Sequence, residues 1–341
     1  MNRCKLLLLA TIASVSFVPA LAQAPAPAAG ARSGPKPFQE IVNGKAVSQN
    51  GMMSVHKVED RYYFELPDSL VGRLIMAITR ISRTPTGAGY GGVEVNRQVL
   101  QWEKGPDNKM LLRCVGFVNT SADSTQQIFQ AVEMSNVNPI VGSFDIKSIR
   151  QDTSVLIDMT DYVKADNQVF SLTPTEKQLY RITAQASDRS YVQSIKTFPI
   201  NTEVKVVRTY NTSAPSIMAP PTPGMPAPLP GALDAGAITM ELNTSMILLP
   251  AKPMRRRLED RRVGYFTNNY NVYADNSQRT VPETFVQRWR LEPKSAADYE
   301  RAKRGELIEP AKPIVFYIDP ATPAQWKKYL MQGVEDSETC L

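Results

Sequence analysis

Met53-Ser54-Val55-His56-Lys57-Val58, then Glu59-Asp60-Arg61, then Tyr62-Tyr63-Phe64-Glu65-Leu66 is the stretch that decides the fold class. The first run alternates apolar and polar residues as a half-buried strand does. The charged triplet turns the chain, and an aromatic run brings it back, so the stretch reads as a β-hairpin. The same arithmetic repeats on either side. Residues 74–81 form a β-branched apolar run, residues 93–102 read as strand, and residues 99–103 and 110–118 flank the turn cluster Lys104-Gly105-Pro106-Asp107-Asn108. Further strand patterns cover 142–149, 154–159, 180–184, 190–198, 202–210, 237–249 and 284–291. Short strands at intervals of roughly ten to fifteen residues predict a sandwich or a curved antiparallel sheet. Residues 161–178 are the helical or loop interval, and residues 295–304 read as a short helix stopped by Gly305. The expected fold is therefore a β-rich α+β one. A small N-terminal α+β unit covers 38–85 and a larger antiparallel β domain covers 86–292, with a proline-rich loop at 214–231. An incomplete β-α piece covers 293–341.

The 341 residues carry a formal charge of +6. Residues 1–22 combine Arg3 and Lys5, the apolar run 6–18 and the cleavage pattern Ala20-Leu21-Ala22, which predicts a secretory signal. Its removal leaves an excess of about +4, too weak over this length to argue for nucleic acid. The apolar run is shorter than the ~20 residues of a membrane span, and no transmembrane segment is expected elsewhere. The mature chain is thus expected to be exported: periplasmic, on the outer surface, or secreted. Residues 23–37 are an Ala/Pro-rich tether. Cys4 leaves with the signal, and Cys114 and Cys340 are read as free thiols, since two distant cysteines make no disulfide framework.

One count excludes whole classes of chemistry. The sequence holds a single histidine, His56, in a strand pattern. A catalytic zinc site uses three protein ligands, commonly two or three of them histidines. No catalytic and no metal-ligating residue is therefore assigned, and no cofactor is expected in this chain. His56 itself is read as a strand residue on a polar face.

Three other features were candidates for binding. Gly87, Gly89 and Gly92 satisfy G-x-G-x-x-G, but a strand pattern follows them where a dinucleotide site needs a helix, so they read as a loop. Met218 and Met225 lie in the proline-rich loop and read as loop residues. Arg255, Arg256, Arg257, Arg261 and Arg262 make a basic patch interleaved with Glu259 and Asp260. The carboxylates favour a salt-bridged surface or a partner contact over nucleic acid, because arginine pairs carboxylates bidentately.

Pro313-Ile314-Val315-Phe316-Tyr317-Ile318-Asp319 reads as a buried strand leading to a helix after Pro323. Trp326, Tyr329, Leu330 and Val334 fall at helical spacing as an apolar stripe. A strand feeding a helix normally opens a layered α/β domain. Several segments together resemble one family: Ser54–Val58 with Tyr62-Tyr63-Phe64-Glu65-Leu66-Pro67-Asp68-Ser69-Leu70; Ile78-Thr79-Arg80-Ile81-Ser82; Gly89-Tyr90-Gly91-Gly92; Asp188-Arg189-Ser190 with Phe198-Pro199; Arg261-Arg262-Val263-Gly264-Tyr265-Phe266; Arg288-Trp289-Arg290-Leu291; and 313–323. In order over about 36–336, they make the chain similar to the N-terminal part of large exported bacterial zinc-dependent metalloproteinases. Those begin with a signal and two domains of uncharacterised function, and a metzincin-like catalytic domain follows.

The resemblance implies a partner domain holding zinc through H-E-x-x-H-x-x-G-x-x-H. There two histidines on one helix face and a third bind the metal, and the Glu serves as base. No segment of this chain matches that motif. The expectation is an accessory region truncated before the zinc domain and inactive alone, with zinc present only in the full-length protein. Its partners would be that catalytic domain, through Trp326, Tyr329, Leu330 and Val334, and a peptide substrate. The alternative is a stand-alone exported β-rich module that binds a peptide, a glycan or a surface partner through its β-rich body and the arginine patch.

Overall fold

The computed structural model describes residues 34–121, 123–213 and 227–338. The expected signal, most of the tether, residues 214–226 with Met218 and Met225, and Cys340 lie outside the described residues. A one-turn helix α1 (Phe38–Ile41) and a short strand β1 (Val47–Gln49) precede the hairpin. The hairpin forms as read: β2 (Ser54–Val58) and β3 (Arg61–Leu66) pair antiparallel, with His56 opposite Tyr63 and Glu59 turning the chain at φ 53°.

The long strands come next. They are β4 (Leu74–Arg83), β5 (Glu94–Lys104) and β6 (Lys109–Cys114). Gly87, Gly89 and Gly92 all adopt positive φ between β4 and β5, so these glycines build a loop and β5 follows them. Asp107 and Asn108 take φ 54° and 56° in the next turn, a conformation that short polar side chains tolerate. Strand β7 (Asn119–Ser121) and helix α2 (Gln127–Ser135) were not legible as elements in the sequence. Then follow β8 (Ile140–Ile149), β9 (Val155–Asp158), α3 (Thr160–Lys164), α4 (Pro174–Leu179) and β10 (Ile182–Gln185). Next are β11 (Tyr191–Thr197), β12 (Asn201–Thr212), α5 (Pro230–Asp234) and β13 (Ala237–Leu248).

Twelve strands join in one antiparallel sheet of order β1-β2-β3-β9-β8-β6-β5-β4-β13-β12-β10, with β11 also on β12. The loop between β4 and β5 holds the expected boundary near residue 85, and the hydrogen-bonded sheet runs on through both sides of it. The two flanks nearly meet. Met52 N–H donates to the Phe198 carbonyl at 2.6 Å, and Thr197 Oγ1 donates to the Met53 carbonyl at 2.9 Å. Gly51 is required at this latch, because a Cβ there would lie 2.6 Å from the Phe198 nitrogen. The fold is β-rich, and its large sheet curls almost into a barrel.

Alternation places the core inside. On β12, Thr202, Val204, Val206, Arg208 and Tyr210 are buried; on β13, Ile238, Met240, Leu242, Thr244 and Met246 match them. An aromatic file crosses the interior in edge-on contacts: Trp102 to Phe144 at 5.7 Å, Phe144 to Tyr162 at 5.1 Å and Tyr162 to Phe170 at 5.9 Å. The interval 160–172 folds into the concave face as a plug. Its carbonyls accept from inward polar side chains: Asn96 on Gln168 and Ser171, Thr79 on Val169, and Arg208 on Val163. A buried polar group without a partner costs free energy, so these bonds offset the burial of Asn96, Thr79 and one Arg208 nitrogen.

The C-terminal portion is built differently. Strands β14 (Thr267–Tyr273) and β15 (Val281–Val286) join β7 in a separate three-stranded sheet. The run expected to be a strand over 284–291 leaves the ladder at Val286, and Trp289 is exposed. Helix α6 (Ala296–Lys303) starts where expected, with the Ser295 hydroxyl accepting from Asp298 N–H. Residues 313–319 differ from the expected buried strand. They pair with no strand among the described residues, so no ladder forms, and Phe316 and Tyr317 are exposed. Helix α7 (Ala324–Glu338) follows as a regular helix.

Candidate interaction surfaces and the single histidine

Helix α7 begins just after Pro323, whose fixed φ suits a helix entrance. Trp326, Tyr329, Leu330 and Val334 line one face as the spacing predicts, at 40–63% exposure, and Met331 stands beside them. The Trp326 and Tyr329 rings lie 6.3 Å apart. Full burial of a large apolar side chain is worth about 1.5–3 kcal/mol, so this face forgoes several kcal/mol while uncovered. Contiguous exposed apolar residues of this kind mark interaction sites.

All five patch arginines are exposed, but they do not act as one group. Arg262 pairs with Asp260 at 2.6 Å, which lowers the Asp260 carboxyl and raises the guanidinium. Arg256 lies over the Tyr270 and Phe285 rings at 5.0 and 4.9 Å, clamping β14 to β15 by cation–π contact. The Arg255 and Arg257 carbonyls accept from Arg288 and Val286. The side chains of Arg255, Arg257 and Arg261 have no acidic partner among the described residues. The salt-bridged reading thus holds for Arg262 alone.

The strand pattern puts His56 on a polar face, and the structure buries it instead. It is 5% exposed and sits in a built network. Cross-strand pairing puts Ser48 of β1 opposite His56 of β2. Ser48 Oγ lies 2.7 Å from His56 Nδ1, and His56 Nε2 lies 3.0 Å from Glu65 Oε2 on β3. The other Glu65 oxygen accepts from Arg150 and from Ser154, both at 2.8 Å. The Phe38 ring stands edge-on to the imidazole at 5.5 Å, and Arg150 caps that ring at 4.8 Å. A recess of about 540 Å³ beside Phe38 and Arg150 is also lined by Pro37, Ile149 and Asp152. The sequence signal was the alternation itself: His56 and Glu65 occupy facing strands of the deciding hairpin. What sequence could not supply was β1, which brings Ser48, and the β8–β9 turn, which brings Arg150 and Ser154.

Cys114 is a free thiol whose pKa is pushed up by burial, so it is a poor nucleophile. Among the described residues no group of three or more His, Cys, Asp or Glu side chains could hold a metal ion, and no helix is long and apolar enough to cross a membrane.

Comparison with known families gives two matches. A model described as a domain of unknown function (DUF5117) matches residues 92–294, more than half of the chain. A second, also a domain of unknown function (DUF5118), matches residues 35–84. No curated protein and no solved structure matches.

Proposed function

This chain belongs to the DUF5117 family, and on that premise we propose that it is the N-terminal accessory region of an exported zinc metallopeptidase, docking against the catalytic domain rather than performing the chemistry. The carrying observation is the α7 face of Trp326, Tyr329, Leu330 and Val334, exposed shortly after the unpaired residues 313–319. A segment without a ladder followed by a helix with a bare stripe suits the first layer of an α/β partner, whose sheet would pair the one and cover the other. The tandem of two domains of unknown function is the arrangement that the segment-by-segment resemblance implies. Zinc would belong to the partner, since one histidine cannot build the three-histidine motif.

The test has two arms. The purified chain is expected to bind no stoichiometric zinc and to leave casein intact. A separately expressed domain bearing H-E-x-x-H-x-x-G-x-x-H from the same locus is expected to bind it, and Trp326→Ser with Leu330→Ser to weaken that binding at least tenfold. One tightly held zinc with turnover in this chain would sink the proposal, as would binding indifferent to both substitutions. A second reading rests on Arg255, Arg257 and Arg261, exposed without carboxylate partners: a stand-alone module that holds an acidic peptide, glycan or surface partner. Retained binding to such a ligand, lost in the triple alanine variant, would favour it.

A further inference from the structure

We propose that Ser48, His56 and Glu65 form a nucleophilic site at which Ser48 takes up acyl groups from small activated esters, an activity separate from any docking role. The nucleophile and base lie within hydrogen-bond reach, and a third group orients the base, which is the arrangement that activates a hydroxyl. The tautomer follows from the partners. Glu65 accepts at Nε2, so in the neutral ring the proton sits on Nε2 and the Nδ1 lone pair faces Ser48. Ser48 O–H therefore donates to Nδ1. The two ring nitrogens are exchanged relative to the familiar Ser-His-Asp arrangement, but roles and geometry define such a site, not atom labels.

The supports are unequal in exposure, as the chemistry needs. Ser48 is exposed on the edge strand β1, open to a substrate. His56 and Glu65 are buried beneath it, and Arg150 and Ser154 fix the carboxylate. Phe38 shields the imidazole on one side and walls the adjoining recess. Because Ser48 stands on an open edge, the fitting substrates are compact acyl esters whose leaving groups depart readily.

The step balances without any further reagent than water. Ser48 Oγ bonds to the acyl carbon as its proton passes to Nδ1. The C–O bond to the leaving alcohol then breaks, and that alcohol departs with the proton from Nδ1. Water adds to the acyl carbon, giving a proton to Nδ1. The acyl–Oγ bond breaks, Oγ takes that proton, and the free acid leaves. Glu65 acts as a positioning residue that holds the tautomer and faces the imidazolium.

The full chain is to be treated with a fluorophosphonate probe, with the adduct mapped by mass spectrometry, and assayed with 4-nitrophenyl acetate. The adduct is expected at Ser48, and Ser48→Ala, an exposed edge substitution, is expected to abolish labelling and the catalysed hydrolysis. His56→Gln should slow labelling by about 10²–10⁴-fold, the usual contribution of a positioned base. Glu65→Gln can donate its amide to Nε2 and move the ring proton to Nδ1, so it should slow labelling comparably at a temperature where the variant is still folded. No adduct at Ser48 in the folded wild type overturns the proposal. So does equal labelling of a folded His56→Gln variant. If that variant does not fold, a wild-type labelling rate at Ser48 no faster than at other exposed serines of the same chain overturns it.

Discussion

The twelve-stranded sheet and the portion after residue 250 draw on the same kinds of residue, yet they treat them oppositely. In the sheet, Trp102, Phe64, Leu100 and Leu112 are fully buried, and Asn96, Thr79 and one Arg208 nitrogen donate to carbonyls of the plug. After residue 250, Trp289, Phe316, Tyr317, Trp326 and Tyr329 are exposed, and order comes from local pairs such as Arg301 with Glu306 or Lys294 with Glu309. Exposed ion pairs like these contribute about 0–1 kcal/mol. The difference is closure. A sheet that curls until its flanks latch buries its own inner face, whereas a lone helix and an unpaired extended run cannot. Buried core and exposed apolar surface are thereby divided between the two regions.

That division can be broken most severely inside the sheet. Trp102→Ala removes the largest fully buried side chain and one end of the aromatic file. A loss of about 3–5 kcal/mol in urea unfolding is expected. Trp102→Phe should cost much less, because the indole N–H has no acceptor among the described residues and its removal frees no partner. If both cost the same, the file is not what holds the interior. Gly51→Ala acts at the latch instead, where the new Cβ would also lie 2.7 Å from the Phe198 carbonyl oxygen. The backbone must give way, so about 1–3 kcal/mol is expected, with faster amide exchange at Met52. Unchanged exchange there would mean that the flanks do not depend on this contact.

Alternation and turn chemistry carried most of the sheet. Period-two burial on β12 and β13, the β2–β3 hairpin and the Asp107-Asn108 turn are local properties, and a sequence displays local properties. The strand order, in which β3 finds β9 and β4 finds β13, is a matter of long-range pairing that no local pattern encodes. The role of 160–172 escaped for the same reason: a plug is defined by the side chains of β4, β5 and β12 that reach it. Strand β7 was missed because three residues have no period. Its partner β14 carries Asn268, Asn269 and Asn271, which weaken the strand signal. Of the candidate sites, the α7 stripe was legible because helical spacing is local. The Ser48–His56–Glu65 relay was not, because it needs three strands in register and the sequence shows only two of them side by side.

A titration sharpens the contrast by a smaller margin. Burial raises the Tyr162 phenol well above its ordinary 10.0, with Cys114 a lesser contributor, and its hydroxyl donates to the Val141 carbonyl at 2.7 Å. The folded pKa exceeds the unfolded one. The stability that this group contributes is therefore complete below about pH 10 and is lost as pH rises from there through the folded value. Tyr162→Phe should lower stability near neutrality by about 1 kcal/mol. It should also make the alkaline decline shallower, as followed by circular dichroism. An equally steep decline would assign alkaline sensitivity to other groups, with Tyr210, also raised by burial, the first to examine.

The smallest effect belongs to α7, and its smallness is what the comparison requires. Trp326→Ser and Leu330→Ser remove apolar groups that are at least half exposed and pack against nothing in the sheet core. Surface changes of this kind stay within about ±0.5 kcal/mol. The melting of the twelve-stranded sheet should therefore be unchanged, while binding of an apolar dye such as ANS falls. A fall in dye binding without a shift in melting separates an interaction face from a structural one. A loss of sheet stability beyond about 1 kcal/mol, far outside the surface range, would show that α7 packs on the sheet in solution and would remove the bare stripe on which its docking role depends.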